Sequence, residues 1–192
     1  MINFLKLGGS LITDKSKEKR VHRLRLDRLA KEAAAAITAN PETKWVLGHG
    51  SGSFGHFTAS KYQTQRGVIS DLDWKGFVQV WRDARELNQI VTDALLQAGI
   101  PVIHFPASAF LTTRSRLVKT VYTDPIIHAL SKGLVPLVAG DVIFDHEIGG
   151  TIFSTEEILA ALSEDITPSR VLLCGLDRGV FADFPKNRQL IP

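Results

Sequence analysis

The chain has 192 residues, of which 44% are hydrophobic and 22% charged, with a formal net charge of +3. This balance is typical of one folded domain and excludes an intrinsically disordered chain. The single cysteine, Cys174, excludes an intrachain disulfide, favours a reducing compartment and lies in an apolar run that indicates a buried, inert thiol. No apolar run approaches the roughly 20 residues that cross a bilayer, and the N-terminus lacks a signal-peptide pattern, so we expect a cytoplasmic protein without membrane contacts.

Strand and helix patterns alternate along the chain. Strands are predicted where short apolar runs end at glycine or proline, and helices where apolar residues recur every three or four positions. Ser154 and Glu157 fit a capping box, in which each side chain bonds the other residue's backbone N–H. In chain order we predict strand 2–7, helix 26–39, strand 45–47, helix 75–99, strands 101–105 and 117–121, helix 125–132, strand 134–141, helix 155–164 and strand 170–175.

This alternation predicts an α/β fold, a three-layer αβα sandwich with a mostly parallel central sheet, in a single domain. The charge is uneven, because seven basic residues fall between Lys15 and Arg28. Such a cluster indicates either an anionic ligand or a solvated loop and helix face. No aromatic residue is interleaved for base stacking, which argues against a nucleic-acid partner.

Three stretches rich in small polar residues are predicted as loops at the carboxyl ends of strands, where open α/β sheets bind ligands. They are 8–10, 48–56 and 149–151. Glycines let backbone N–H groups approach a phosphate closely, and a helix N-terminus adds partial positive charge. Lys6 and Lys15 flank the first loop, so the pattern predicts a phosphate cradle with lysines for the charge that develops during phosphoryl transfer.

Two other phosphate-binding patterns compare differently with this sequence. The Walker pattern G-x-x-x-x-G-K-[ST] is absent from the sequence, which argues against an ordinary P-loop hydrolase. Residues 50–55 match G-x-G-x-x-G after a strand, with Asp71 in place of a ribose-binding acid, so a nicotinamide-dependent enzyme is an alternative. Against it, the following segment 56–67 shows no apolar helical face, and a dinucleotide fold leaves Lys6 unexplained.

His49 and His56 bracket the second glycine stretch. Their spacing is not that of metal ligands, and no Cys/His cluster predicts zinc, so no metal-binding residue is assigned. A loop histidine is commonly a hydrogen-bonded structural residue. Beside a phosphate, however, an imidazolium can donate a hydrogen bond as charge redistributes.

Five motifs, in this order and spacing, resemble the amino acid kinase superfamily, most closely its isopentenyl phosphate kinase branch. They are "KLGGSLIT", "GHGSGSFGH", "GDVIFD" with "GGTIFS", and "LDRGVFADFP". A glycine-rich loop that closes on Phe-Gly-His separates this branch and the fosfomycin kinases from glutamate, aspartate and uridylate kinases. The resemblance implies transfer of the γ-phosphoryl group of ATP, with Mg²⁺, onto isopentenyl phosphate, in a protein that is often a homodimer.

The resemblance also implies roles for individual residues. His56 would polarise the acceptor phosphate, Lys6 would bridge the donor and acceptor phosphates, Lys15 would lie near the γ-phosphate, and Asp141 would orient the lysines or approach the metal. The long helix around Phe77, Val80, Trp81 and Ala84 would wall an apolar pocket for the five-carbon tail, the alternative being ordinary core packing. Substrate contacts are implied for Gly50, Ser51, Gly52, Ser53, Gly55, Gly149, Gly150 and Thr151, and nucleotide contacts for Gly8, Gly9, Ser10, Ser154 and Asp177.

The chain departs from the family pattern at two points. Many members carry Ser-Gly-Asp-Asp where this chain has Ser154-Thr155-Glu156-Glu157. Members also continue beyond the "FADFP" point with a strand and helices that include a lysine near ATP, so the resemblance implies a largely complete acceptor lobe and a truncated nucleotide lobe. Two alternatives therefore stay open: a kinase for a phosphonate such as fosfomycin or another alkyl phosphate, and a non-catalytic phosphate-binding module.

Overall fold

Nine strands and seven helices are present in the computed structural model, which describes residues 1–177, 179, 181–182 and 189–191. In chain order they are β1 (Ile2–Leu7), α1 (Gly9–Ile12), α2 (Arg23–Thr38), β2 (Lys44–His49), α3 (Gly52–Tyr62), α4 (Asp71–Gln97), β3 (Val102–His104), α5 (Ala107–Phe110), β4 (Leu111–Arg114), β5 (Leu117–Val121), α6 (Asp124–Ser131), β6 (Val135–Ala139), β7 (Asp141–Asp145), β8 (Gly149–Phe153), α7 (Thr155–Ser163) and β9 (Arg170–Cys174). A 3₁₀ turn covers Thr64–Arg66.

The central sheet has five parallel strands in the order β3-β6-β2-β1-β9. Successive residues of a strand point to opposite faces, and both faces here are apolar. Leu5 of β1 packs in a cluster with α2 and α4, whereas Phe4 packs on the other face with α6 and α7. The structure therefore confirms the three-layer αβα fold and its parallel sheet.

A second sheet, in the order β5-β4-β7-β8, lies beside the first and was not anticipated. Strands β7 and β8 form an antiparallel pair, and β4 runs parallel to β7. The predicted strand 134–141 is therefore wrong in its extent, because β6 ends at Ala139 and Asp141 begins β7. At Gly140 the chain leaves the parallel sheet and enters the second one.

The remaining predicted elements are present, with boundary shifts of a few residues. Strands 2–7 and 117–121 have the predicted bounds. Both hydrogen bonds of the Ser154–Glu157 capping box form. The long helix begins at Asp71 rather than near residue 75, because a second capping box, between Ser70 and Asp73, starts it one turn earlier.

Helix α3 contradicts the expectation that the glycine stretch and the segment after it are not helical. Its buried residues include Gly52, Ser53, Gly55 and Thr58, with Phe54 as the one large apolar member. Small and polar residues can be buried here because α3 lies close to α4: a Cβ on Gly76 of α4 would fall 2.5 Å from the ring of Tyr62. The helix has an inner face, but that face carries almost no hydrophobic periodicity.

The segment 149–151 is also not the loop that was predicted, since it is the first part of strand β8. A Cβ on Gly150 would lie 2.7 Å from the ring of Phe77, and one on Gly149 would overlap the backbone of Val68. These two glycines therefore serve close packing against α4 and the residues before it. None of the described helices is long and apolar enough to cross a membrane.

Candidate active site

A cavity of roughly 330 Å³ opens at the carboxyl edge of the parallel sheet, between the end of β1, the start of α3, helix α4 and the β7–β8 hairpin. The fold brings ten of the sequence-predicted site residues to its wall: Lys6, Gly9, Lys15, Gly50, Ser51, Gly52, Gly55, His56, Asp141 and Ser154. Residues separated by up to 148 positions thus share one cavity. This is the position at which open α/β sheets hold their ligands.

Two backbone loops touch each other at the floor of the cavity. A Cβ on Gly9 would lie 2.7 Å from the amide nitrogen of Gly52, and one on Gly50 would lie 2.8 Å from the amide nitrogen of Gly9. The Thr13 hydroxyl joins the loops, since it donates to the Gly9 carbonyl (2.7 Å) and accepts from the Ser53 N–H (2.9 Å). No side chain separates these backbones, so the two loops pack in direct contact and hold each other at the edge of the cavity.

Helix α3 directs its N-terminus at the same cavity. Its first turn contributes Gly52, Gly55 and His56 to the wall. The first N–H groups of a helix have no intrahelical partner and carry partial positive charge, so this end attracts anions. Lys6 and Lys15 add two full positive charges. The arrangement is an anion-binding site built from backbone and side-chain donors together.

Lys6 is buried at the end of β1, and its ammonium forms an ion pair with the Glu156 carboxylate. Glu156 lies in the first turn of α7 and is exposed. Burial is the largest single influence and raises the pKa of Glu156, but its hydrogen bonds and the positive charges of Lys6 and Lys15 together hold that pKa below its usual value. Glu156 thus orients Lys6 across the mouth of the cavity. Glu156 is a site residue that no pattern in the sequence indicated.

His49 lies fully buried behind the glycine loop. Its Nε2 accepts a hydrogen bond from the Asn88 side-chain amide (3.0 Å), and its Nδ1–H donates to the Gly50 carbonyl (3.1 Å). Burial lowers the pKa of His49 to about 4, so the ring is neutral at pH 7 and these two roles are compatible. The Thr155 hydroxyl also donates to the His49 carbonyl (2.6 Å). His49 therefore positions the loop and does not face the ligand.

His56 stands at the cavity wall and is exposed. Partial desolvation lowers its pKa, and the positive charge of Lys15 lowers it further. The ring is therefore mainly neutral at pH 7 in this state and can take up a proton when an anion arrives beside it. Of the two histidines that bracket the loop, His56 is the one in a position to contact a ligand.

Asp141 is buried at the start of β7. Burial raises its pKa to about 6, although hydrogen bonds from the Val142 N–H (2.8 Å) and the Ser108 hydroxyl (3.1 Å) oppose that shift. Gly140 and Asp141 line both this cavity and a second, adjoining one. Within the described part of the chain, no three His, Cys, Asp or Glu side chains come together as a metal cage. The carboxylates at the cavity are Asp141, Glu156 and Glu157.

Seven sequence-predicted site residues do not reach the cavity wall: Gly8, Ser10, Ser53, Gly149, Gly150, Thr151 and Asp177. Ser53 instead accepts a hydrogen bond from the Arg20 N–H (3.1 Å). Thr151 is buried in β8, where its hydroxyl accepts from Arg116 (2.5 Å). Asp177 is exposed beyond β9, and half of the ten-residue motif that contains it, at 178, 180 and 183–185, lies outside the described residues.

The wall also contains residues that the sequence analysis did not single out. Among them are Ala59, Gln65, Ile152, Phe153 and Glu157. Of the four residues expected along α4, Val80 and Ala84 line this cavity, Trp81 lines the adjoining one, and Phe77 is buried against Trp74 and Phe144. Ile152 and Phe153 come from β8 and Gln65 from the 3₁₀ turn before α4, whereas Ala59 lies on α3 and Glu157 on α7.

Comparisons with known proteins bear on this site. The profile of the amino acid kinase family matches residues 1–192. The isopentenyl phosphate kinase of Methanocaldococcus jannaschii is 31% identical over 190 residues, which are 95% of this chain and 72% of that protein. The isopentenyl phosphate kinase of Methanothermobacter thermautotrophicus is 33% identical over 189 residues, 95% of this chain and 70% of that protein.

Solved structures give the same result. An isopentenyl phosphate kinase structure superposes with a TM-score of 0.87 at 31% identity and covers 97% of this chain and 78% of its own. The aspartate kinase of Synechocystis superposes with a TM-score of 0.65 at 14% identity over 94% of this chain and 29% of its own, which is a likeness of fold alone.

Proposed function

The chain belongs to the amino acid kinase family, and on that premise we propose that it transfers the γ-phosphoryl group of ATP to isopentenyl phosphate, giving isopentenyl diphosphate. One observation carries the proposal. The N-terminus of α3, the Lys6 ammonium and the His56 imidazole face one cavity that has apolar residues along α4 and β8. A phosphate attached to a short hydrocarbon chain has the charge and the apolar surface that such a cavity accommodates.

The acceptor phosphate would lie at the start of α3. The end of α3 at Gly52 supplies partial positive charge to a dianion there, whereas the Gly50 N–H is engaged by the Leu7 carbonyl (3.1 Å) and holds the loop in place. His56 would donate a hydrogen bond to a phosphate oxygen, and the nearby dianion would raise its pKa from the lowered value of the ligand-free state. His49 would hold the Gly50 peptide in place through its Nδ1–H.

The hydrocarbon tail would lie against α4 and β8. Val80 and Ala84 from α4, Ala59 from α3 and Ile152 from β8 line that side of the cavity. Each apolar carbon that leaves water there adds affinity, on the order of 0.8 kcal/mol per CH₂ group. The phosphate site cannot recognise a carbon skeleton, so selectivity for the acceptor would come from this wall.

In the transfer step, an oxygen of the acceptor phosphate forms a bond to the γ-phosphorus while the bond from that phosphorus to the bridging oxygen of ADP breaks. Such a step depends chiefly on positioning and on stabilising charge on the transferring oxygens. Lys6 would stand between donor and acceptor, oriented by Glu156, and Lys15 would approach the γ-phosphate from the loop after α1. No proton has to leave the acceptor, because its phosphate oxygens are already ionised.

The donor would be ATP accompanied by Mg²⁺. Gly9 and Lys15 line the cavity on the side of β1 and α1, where the nucleotide phosphates would lie. Mg²⁺ is typically held by one or two carboxylates and the nucleotide phosphates, and Asp141 and Glu156 are the carboxylates placed for it. Bound there, the cation would neutralise charge on the γ-phosphoryl oxygens.

The experiment is a phosphorus NMR assay of the chain with ATP, Mg²⁺ and isopentenyl phosphate. We expect a diphosphate product, and we expect His56→Ala to lower kcat by about 10²-fold or more, the size of a lost transition-state donor. His128→Ala is the matched control, because His128 is an exposed histidine on α6, in the layer that covers the opposite face of the sheet.

Absence of the diphosphate product, or equal losses in the two variants, would contradict the proposal. Consumption of ATP with fosfomycin but not with isopentenyl phosphate would identify a phosphonate kinase instead. Binding of isopentenyl phosphate without any ATP consumption would identify a phosphate-binding module.

A further inference from the structure

A second cavity, of roughly 280 Å³, adjoins the acceptor cavity on the side of β3 and α5. Three residues, Ala84, Gly140 and Asp141, line both cavities. Two of them have almost no side chain, so the partition between the cavities is thin. The acceptor cavity thus has a neighbouring chamber on the far side of that partition, at the same edge of the sheet.

The walls of this second cavity combine apolar surface with a few polar groups. Trp81, Pro106 and Ala139 supply the apolar surface, and Arg85 and His104 supply polar atoms. The guanidinium of Arg85 lies over the ring of Trp81, 5.4 Å from its centroid. Neither Arg85 nor His104 has a side-chain hydrogen bond to any described residue. Unused hydrogen-bonding capacity at a mainly apolar cavity is the usual composition of a small-molecule site.

Charge decides which polar group fits. A carboxylate would be attracted by Arg85 and repelled by Asp141, and an ammonium the reverse, so the paired charges of this wall favour neither sign over a neutral polar group. A hydroxyl both donates and accepts. Burial lowers the pKa of His104 to about 4, so at pH 7 its neutral ring offers one donor and one acceptor nitrogen. Asp141 binds Ser108 and Val142 and keeps further lone pairs free to accept.

We propose that the second cavity binds the hydroxyl end of an acceptor, so that the chain also takes alkyl monophosphates with a hydroxyl group at the far end of the hydrocarbon chain. This inference rests on the proposed function, since it extends the same acceptor site. The phosphate would stay at the start of α3, the hydrocarbon would pass Ala84, and the hydroxyl would reach His104 and Asp141. Such an acceptor satisfies polar groups that a purely hydrocarbon tail leaves unpaired.

The test is calorimetric titration without ATP. Linear alkyl phosphates of four to eight carbons are compared with their terminally hydroxylated counterparts. We expect one chain length at which the hydroxyl tightens binding by about tenfold, the effect of one net hydrogen bond of about 1.4 kcal/mol. We expect His104→Phe to abolish this gain and Ser108→Ala to reduce it. His104 lines only the second cavity, so isopentenyl phosphate should bind the His104→Phe variant unchanged.

Two outcomes would overturn the inference. The first is weaker binding of the hydroxylated compound at every chain length, which is what a hydroxyl pressed against apolar surface produces. The second is a gain that survives in both His104→Phe and Ser108→Ala. If one variant fails to fold, the other decides. Because the titration contains no ATP, it measures binding at the acceptor site alone. Phosphoryl transfer, and with it the proposed function, is tested separately by the NMR assay with isopentenyl phosphate.

Discussion

Replacing Asp83 by asparagine tests how the loop that carries Lys15 is held over the cavity. Asp83 is only 2% exposed, and its carboxylate accepts hydrogen bonds from the Thr58 hydroxyl (2.5 Å) and the Gln79 amide (2.9 Å). The Lys19 ammonium pairs with it at 2.8 Å. Lys19 and Lys15 lie on the same loop, between α1 and α2, so this buried ion pair fastens the loop to α3 and α4.

The structure sets the size of the effect. Asparagine keeps the shape of the side chain but removes the charge, and its NH₂ group cannot accept from Lys19. The variant therefore loses a charge-assisted hydrogen bond, worth about 2 kcal/mol of unfolding free energy. For a chain of this length, that lowers Tm by about 4–8 °C. We also expect kcat to fall, because the Lys15 loop is less firmly held.

The assay is urea and thermal unfolding of Asp83→Asn beside Glu86→Gln. Glu86 is the other partner of Lys19 (2.7 Å), but its side chain is 50% exposed, so its loss should cost less than about 1 kcal/mol. Equal destabilisation of the two variants would refute the reasoning, because it would mean that burial of the ion pair adds nothing. An unchanged Tm in Asp83→Asn would refute it as well.

The free energy of unfolding should also depend on pH through the Asp83 carboxylate. Burial is the largest single influence and raises the pKa of Asp83, but the hydrogen bonds from Lys19, Thr58 and Gln79 and the charge of Lys19 together leave that pKa below the ordinary value of 3.8. A carboxylate whose pKa is lower in the folded than in the unfolded state stabilises the protein at pH values above its unfolded-state pKa. That stabilisation is lost as the pH falls through the folded-state pKa. The stability difference between the wild type and Asp83→Asn should therefore shrink below about pH 4. A difference that stays constant into strong acid would contradict this.

Three further predictions concern the cavity wall. Asn88→Leu leaves the buried Nε2 of His49 unpaired and should cost about 1–3 kcal/mol in urea unfolding; no loss would show that this bond does not hold the ring. His49 should titrate by NMR with a pKa near 4, and a midpoint near 6.5 would contradict its burial. Because the unfolded state binds that proton from about pH 6.5 downward, the free energy of unfolding should fall by about 3 kcal/mol as the pH is lowered from about 6.5 to about 4. Glu156→Gln frees Lys6 and should tighten calorimetric binding of inorganic phosphate several-fold, whereas weaker binding would mean that Glu156 is needed to aim the lysine.

Much of the fold could be predicted from the sequence because most elements carry a clear hydrophobic period. Helix α4 repeats apolar residues every three or four positions, and its buried residues follow that repeat. Helix α3 does not, because glycine, serine and threonine fill its inner face. The second sheet escaped prediction for another reason: Ser115 and Arg116 turn β4 into β5 with φ values of +49° and +65°, without the glycine that normally marks such a turn.

The candidate site also contains residues that the sequence predicted and residues that it did not. The glycine stretch, Lys6 and Lys15 were predicted because their residue types indicate phosphate chemistry, and His56 was preferred over His49 because the family resemblance implied it. Glu156 was not assigned, since nothing near it in the sequence indicates that α7 directs it at Lys6, 150 positions earlier. Gly149 and Gly150 were placed in the site because glycine pairs suggest a loop, yet here they are needed for packing against the backbone of Val68 and the ring of Phe77.

The hydroxyl of Thr13 bonds the Gly9 carbonyl and the Ser53 N–H at once, so one short side chain spaces the loop assigned to the donor phosphates from the helix assigned to the acceptor phosphate. A threonine side chain has a single rotatable bond before its oxygen, and this one is buried, so the spacing has little freedom to vary. The separation of the two reacting phosphates would then be set by the folded backbone before either substrate arrives. Binding energy from the tail could be used to select the acceptor, because little of it would be needed to bring the reacting atoms together.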